Sequence, residues 1–351
     1  FKQKTAYEIP KRDWSSDVCS SDLVRDALVR MGLVPRGAAP VFERLTGGVS
    51  SDIWKVDVDG RPSFCVKRAL AQLRVAQEWK APVERNGYEI AWIETASTVV
   101  PDAVPHILGV DGAAGLFAME YLDPDVYALW KRQLRDGIAQ KRSARLAARA
   151  LSRIHEATAG KHEVAERFPT DAIFHAIRLE PYLIATGRRH PDLAPALNAL
   201  AEVTARTKRT LVHGDVSPKN ILIGPKGPVF LDAECAWYGD PAFDVAFCLN
   251  HFLLKCLWTP RATTGFLGCY DSFAKAYFER VTWESPLELE ERTARLLPGL
   301  FLARVDGKSP VEYITEEKDR ERVRRVAAPL LRQPPGRLTA IRNAWRKELS
   351  A

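Results

Sequence analysis

The stretch Leu211 to Asn220 reads LVHGDVSPKN and carries His213, Asp215 and Asn220. Asp232, Glu234 and Asp244 follow it. Between the two groups lie an apolar run, Ile221-Leu222-Ile223, a turn at Gly224 to Gly227, and a second apolar run, Val229-Phe230-Leu231. Apolar run, Gly/Pro turn and apolar run read as a β-hairpin. Such a hairpin holds Asp215 and Asn220 on the loop before its first strand and returns Asp232 and Glu234 to the same point. Three carboxylates and one amide that converge make a hard, oxygen-lined site, suited to Mg²⁺ with a phosphate. Phosphoryl transfer asks for that set: a carboxylate to orient or deprotonate an attacking hydroxyl, and a metal to neutralise the phosphates.

His213-Gly214-Asp215, Asn220 five residues after that aspartate, and Asp232 just past the hairpin resemble the aminoglycoside phosphotransferase family. These are small-molecule kinases with a protein-kinase-like fold. Asp215 to Asn220 also keeps the D-x-x-x-x-N spacing of the protein kinase catalytic loop. The resemblance implies ATP and Mg²⁺ as cofactors, Asp215 as catalytic residue, and Asn220, Asp232 and Glu234 on the metal side. It covers roughly Ala39 to Leu331, nearly all of the credible chain.

Those residues need a nucleotide platform ahead of them. Phe42 to Leu45 leads into Thr46-Gly47-Gly48-Val49-Ser50-Ser51-Asp52, and Ile53 to Val58 alternates as a strand. Asp59-Gly60 is a hairpin turn, and Ser63 to Lys67 is the next strand. The strand–loop–strand resembles the nucleotide-covering loop of kinases, in which Gly47, Gly48, Ser50 and Ser51 would bring backbone N–H groups to phosphate oxygens. It departs from the G-x-G-x-x-G form, and an ordinary hairpin reads the same way. Lys67 stands in the place of the kinase lysine on the α- and β-phosphates, which needs a carboxylate from the next helix. Val83 to Thr95 is that helix; Glu89 is the chosen partner, with Glu84 and Glu94 as rivals. Val66 to Arg85 resembles the methylthioribose kinase branch of the superfamily. Val104 to Val110 and Gly115 to Leu122 read as two strands. The second runs into a hinge where backbone near Glu120, Tyr121 and Leu122 would meet adenine.

The rest is mostly helical. Val24 to Met31 is a short helix ended by Gly32. Ser143 to Ala159, Phe174 to Ala185, Leu193 to Arg206 and Val245 to Leu257 are helices by apolar spacing. His155 reads as a packed structural histidine. Asp244 is expected to cap the last of these helices and brace the catalytic loop. The run Asp232-x-Glu234-x-Ala236-x-Tyr238-Gly239, with Phe243-Asp244 behind it, again looks like the methylthioribose kinase branch. Trp237 and Tyr238 either wall the substrate site or pack under the loop. Arg304 either holds substrate or transferred phosphate, or ends a helix with a surface charge.

Composition is that of a globular chain: 351 residues, 46% hydrophobic and 27% charged. No apolar stretch is long enough for a membrane helix. Six cysteines form no C-x-x-C pair, so buried free thiols and a cytoplasmic location are expected. Net charge is +7, and the part from Pro124 onward carries about +9. Lysine and arginine are spread among acids, without zinc-finger spacing or an aromatic RNA-binding pattern, which excludes nucleic acid as the main partner. The partners expected are ATP and a small hydroxyl compound.

Asp13 to Leu23 reads DWSSDVCSSDL, a string that a common short-read sequencing adapter encodes in frame. Residues 1–23 are therefore read as a non-native artefact and left out of the fold. The expected architecture is a two-lobed, protein-kinase-like α+β fold: a small β-rich nucleotide-binding N-lobe over 24–122 and a larger helical C-lobe over 123–351. The expected activity is ATP- and Mg-dependent phosphorylation of a hydroxyl on a small molecule, such as methylthioribose or another sugar derivative. The loop TGGVSSD and the presence of Asn220 both depart from methylthioribose kinase itself. The alternatives are an aminoglycoside phosphotransferase conferring antibiotic resistance and a non-catalytic nucleotide-binding pseudokinase.

Overall fold

A computed structural model describes residues 18–45, 51–69 and 85–351. Chain contacts divide it into two compact units, one of residues 1–69 with 107–121 and one of 70–106 with 122–351.

The first unit is a helix and a sheet. Helix α1 (Val18–Arg30) precedes strands β1 (Val41–Arg44), β2 (Ser51–Asp57), β3 (Phe64–Ala69), β4 (Ile107–Asp111) and β5 (Leu116–Glu120). The sheet is antiparallel throughout, in the order β1-β2-β3-β5-β4. Alternation decides its faces: Val56, Phe64, Val66, Leu116 and Ala118 point to one side and bury against Val24, Ala27 and Leu28 of α1. Each such side chain contributes roughly 1.5–3 kcal/mol by leaving water. Helix α1 is longer than the expected Val24–Met31 and starts inside the adapter-like string; Gly32 follows it at φ +72°, a left-handed stop.

The second unit begins with α2 (Arg85–Ser97), the helix expected over Val83–Thr95. It continues with β6 (Ala128–Leu129), α3 (Trp130–Arg135), α4 (Lys141–Thr158), α5 (His162–Arg167) and α6 (Asp171–Phe174). A π-helical stretch, His175–Ile184, runs straight into α7 (Ala185–Arg189). Then come α8 (Ala194–Arg206), β7 (Thr210–Val212), β8 (Ile221–Gly224), β9 (Gly227–Phe230), β10 (Trp237–Gly239) and α9 (Ala242–Trp258). Helices α10 (Thr263–Phe278), α11 (Pro286–Asp306), α12 (Glu317–Arg332) and α13 (Leu338–Leu349) complete it.

In α4, Ala144, Ala147, Leu151, Ile154 and Thr158 form the buried stripe, and Arg142, Arg145, Arg149 and Arg153 lie off it. Helix α9 is buried nearly all round, from Ala242 to Cys256. Ser285 caps α11 by accepting from the Glu288 N–H at 3.4 Å, with Pro286 as first helical residue. The expected hairpin is β8–β9, with Ile221 opposite Phe230 and Gly224 opposite Gly227. A second pairing was not expected: β7 and β10 run antiparallel, with Leu211 opposite Tyr238. The described cysteines, Cys65, Cys235, Cys248, Cys256 and Cys269, are free and buried. No helix among the described residues is long and apolar enough to cross a membrane.

Candidate active site

Strand β7 delivers the chain to His213, and Asp244 receives it. The His213 N–H donates to Asp244 Oδ2 at 2.7 Å, and the Gly214 N–H to Oδ1 at 2.8 Å. Asp244 is fully buried in the first turn of α9, and His155 Nε2 lies 3.3 Å from its Oδ2. The expected brace is present, and His155 has the expected structural place, its Nδ1 2.7 Å from the Tyr277 hydroxyl. The expected helix cap is absent: Asp244 lies inside the first turn, the cap position is Pro241 without a side-chain bond, and just before it Asp240 Oδ1 accepts from the Ala242 N–H at 3.0 Å. Gly214 sits at φ +78°, and a Cβ there would meet the Cys235 carbonyl oxygen at 2.5 Å, so only glycine fits. The Asp215 N–H donates to His213 Nδ1 at 3.2 Å. Burial pushes the His213 pKa down, which leaves the imidazole neutral as that acceptor.

This loop turns Asp215 into a buried carboxylate with two unequal oxygens. Oδ2 lies 3.0 Å from Arg178 Nη2 and 3.1 Å from Lys219 Nζ. Oδ1 is buried and has no hydrogen-bond partner among the described residues. Burial alone would raise the pKa, but Lys219 and Arg178 outweigh it and hold the carboxyl well below the usual carboxylate range. Arg178 comes from the π-helical stretch; its Nε donates to the Gly214 carbonyl and its Nη1 to the Ile177 carbonyl at 2.7 Å. Lys219 rides on the 3₁₀ turn Pro218–Asn220, one helical turn beyond Asp215.

The hairpin brings the next pair together. The Leu231 N–H donates to the Asn220 carbonyl at 2.8 Å, which extends the β8–β9 register by one residue and leaves Asp232 beside Asn220. Asn220 Nδ2 donates to the Asp215 carbonyl at 3.2 Å. Asp232 has φ +66° and is the one non-glycine residue at positive φ among those described. Aspartate tolerates that region better than most residues, and outliers of this kind gather at functional sites. Glu234 Oε2 lies 2.9 Å from the Nε of buried Arg85. Among the described residues no three His, Cys, Asp or Glu side chains are grouped to hold a metal by themselves. Asn220 and Asp232 suit a Mg²⁺ that takes most of its ligands from phosphates and water. Glu234 faces a guanidinium.

The remaining expected residues divide. Gly47, Gly48 and Ser50 lie outside the described residues, as does Glu84. Ser51 opens β2, and Lys67 lies in β3 opposite Ile53 and Phe117; both are buried. Glu89 is buried in α2, within the other unit. Glu120 ends β5, with Tyr121 and Leu122 directly after it. Trp237 stacks on Phe174 with centroids 4.1 Å apart, and its indole N–H donates to Asp171 Oδ1 at 2.7 Å. The Tyr238 hydroxyl donates to the Arg209 carbonyl at 2.9 Å. Both rings are buried. Arg304 is no surface charge: it is buried, and its Nη1 donates to the Tyr182 hydroxyl and to Ser309 Oγ, each at 3.1 Å. The Tyr182 ring lies 5.8 Å from the Arg178 guanidinium and 5.6 Å from that of Arg304.

Residues 41–289, which contain the whole of this arrangement up to α11, match the family described as the phosphotransferase enzyme family. The chain belongs to that family. Among curated relatives of this phosphotransferase-family chain, methylthioribose kinase 1 of Oryza sativa subsp. japonica is 22% identical over 224 residues, 55% of this chain and 51% of that one. Methylthioribose kinase of Bacillus cereus (strain B4264) is 25% identical over 257 residues, 64% of this chain and 63% of that one. The chain thus spans between half and two thirds of the length of these relatives. Among solved structures, a choline kinase from Cryptosporidium parvum Iowa II superposes with TM-score 0.55 at 11% identity, over 88% of this chain and 96% of that one. A choline/ethanolamine kinase family protein from Mesorhizobium loti gives 0.50 at 14%, over 93% and 99%. At such identities the likeness is one of fold, and it is the expected two-lobed, protein-kinase-like α+β fold.

The family motif led to Asp215, Asn220 and Asp232 but not to the two cations on Asp215. Lys219 stood in plain view, four residues after the aspartate and next to Asn220. Arg178 lies 37 residues before Asp215, in a stretch with nothing to mark it among the chain's other arginines.

Proposed function

We propose that this chain transfers the terminal phosphoryl of Mg·ATP to a hydroxyl of a small molecule, a sugar derivative such as methylthioribose being the leading acceptor class. The observation that carries the reading is the division of labour on Asp215. A carboxylate clamped through Oδ2, with Oδ1 buried and unpartnered among the described residues, keeps one oxygen for a hydrogen-bond donor that the protein does not supply there. An acceptor hydroxyl fills that place, and Oδ1 orients it and takes its proton as the O–P bond forms.

Asn220 and Asp232 would hold Mg²⁺, with Glu234 at its water and tied to Arg85. Bound there, the metal neutralises phosphate charge. Lys67 would grip the α- and β-phosphates. Backbone of residues 120–122 would meet adenine, and Gly47, Gly48, Ser50 and Ser51 would cover the phosphates. Arg304, one tyrosine ring away from Arg178, is the candidate for the far end of the acceptor. The similarity to methylthioribose kinases and the basic C-terminal part support a neutral or anionic acceptor over a polycationic aminoglycoside.

The test is a panel of acceptors with Mg·ATP: methylthioribose, other sugars, amino alcohols, homoserine, thiamine and aminoglycosides, with Asp215→Ala as blank. Turnover of one class, absent in the blank, supports the reading and names the acceptor. Turnover of aminoglycosides alone would replace the sugar with an antibiotic. Folded protein that fails to bind Mg·ATP would end the kinase reading.

A further inference from the structure

Two cations sit on one oxygen of Asp215, and their surroundings differ. The Arg178 side chain is 9% exposed and spends its other donors on two backbone carbonyls. It fixes the loop, and its charge already answers that of the carboxylate. The Lys219 side chain is 50% exposed, and among the described residues its ammonium has no acid partner but Asp215. A second, half-open cation on an oxygen that a buried guanidinium already holds adds little to stability. Its position matters more. Lys219 directly precedes Asn220 on the 3₁₀ turn, and the hairpin register, carried on by the bond from the Leu231 N–H to the Asn220 carbonyl, returns Asp232 next to that turn. It therefore stands between the carboxylate that would orient the acceptor and the pair that would hold the metal. A phosphoryl group in flight crosses between those two places, with charge spread over its three equatorial oxygens.

We propose that Lys219 is a catalytic residue, whose ammonium hydrogen-bonds an equatorial oxygen of the phosphoryl group during transfer, while Arg178 is the positioning residue that keeps Asp215 in place. The inference rests on the phosphoryl-transfer reading. In the step, the bond from the acceptor oxygen to phosphorus forms and the bond from phosphorus to the β–γ bridging oxygen breaks. The hydroxyl proton passes to Asp215 Oδ1, and ADP leaves with the bridging oxygen. Lys219 keeps its proton throughout and supplies charge alone. The contact strengthens only as the phosphoryl leaves the nucleotide, so it favours the transition state over bound ATP.

Fluoride complexes separate those two states. Mg·ADP with beryllium fluoride imitates bound ATP, and Mg·ADP with aluminium fluoride imitates the transferring phosphoryl. Lys219→Met should bind Mg·ADP and the beryllium fluoride complex within about threefold of wild type, yet lose on the order of 10²-fold in affinity for the aluminium fluoride complex. ATP hydrolysis should fall by a similar factor, and Lys219→Arg should recover part of both. A structural role alone would shift both complexes alike, or neither, and that result overturns the proposal. Wild-type protein that binds Mg·ADP without gaining affinity for aluminium fluoride overturns it too, since there is then no such contact to lose. Folded wild-type protein that binds no Mg·ADP defeats the kinase reading instead.

Discussion

The loop His213–Asn220 and the turn Asp232–Glu234 flank the same hairpin and are held in opposite ways. In the first, the His213, Gly214 and Asp215 N–H groups all have partners, Asp244 and His213 itself, and Arg178 ties the Gly214 carbonyl and the Asp215 carboxylate together. All of these groups are buried. In the second, Asp232 is partly open at left-handed φ, and Glu234 is partly open with one guanidinium partner. The protein buries the group that would orient an acceptor and leaves Asp232 and Glu234, which would face the metal, partly exposed. A residue that directs a proton needs a fixed direction, whereas Mg²⁺ keeps several waters and takes only one or two carboxylates from the protein.

Breaking the rigid side has the largest expected effect. Asp215→Ala should lower kcat by roughly 10²- to 10⁴-fold with Mg·ATP binding kept; near-normal turnover would remove Asp215 from its role. The same carboxylate links stability to pH. Its folded pKa lies below the usual range, so its contribution is complete above that range and is lost as pH falls through it. The difference in Tm between wild type and Asp215→Asn should accordingly shrink as pH drops from 7 toward 3. A constant difference would mean the carboxylate is not what Arg178 and Lys219 respond to.

Asp244→Ala comes next. It strips two buried N–H groups of a charged acceptor, and should cost on the order of 3 kcal/mol in denaturant unfolding together with most of the activity. A loss under ~1 kcal/mol would show that the brace is dispensable.

The open side should respond in the opposite sense. Asp232→Gly removes a proposed metal ligand but relieves a left-handed aspartate. Calorimetry should show Mg-dependent nucleotide binding abolished, with stability unchanged or raised by up to about 1 kcal/mol. A marked fall in stability would place Asp232 among the structural residues and erase the contrast. The smallest effect belongs to Tyr238→Phe, which deletes one hydrogen bond to the Arg209 carbonyl: about 0.5–1.5 kcal/mol in stability and no change in turnover. A change in KM would bring Tyr238 back to the substrate wall.

What could be read from the sequence follows the range of the physics involved. The five strands of the first unit were legible because alternation and Gly turns are local signals. Asp215, Asn220 and Asp232 were legible because one hairpin joins them. Strands β7 and β10 escaped because three residues are too few to show a period, and with them went the packed role of Trp237. Arg178 escaped because its meaning lies in a contact between distant positions. Lys219 shows the other failure: its spacing from Asp215 is that of one helical turn, but the motif drew the eye to the residues on either side.

The π-helical stretch has a further consequence. A π turn holds more residues than an α turn, so the chain between α6 and α7 carries surplus length over regular winding. Arg178 reaches Asp215 from inside that surplus. Its place is therefore set by how many residues the stretch contains as much as by which they are. Removing one would let the stretch relax toward α-winding and carry Arg178 around the helix by up to about 100°. Over evolutionary time, a single-codon gain or loss here would act less like the trimming of a helix than like the exchange of one support for Asp215 for another.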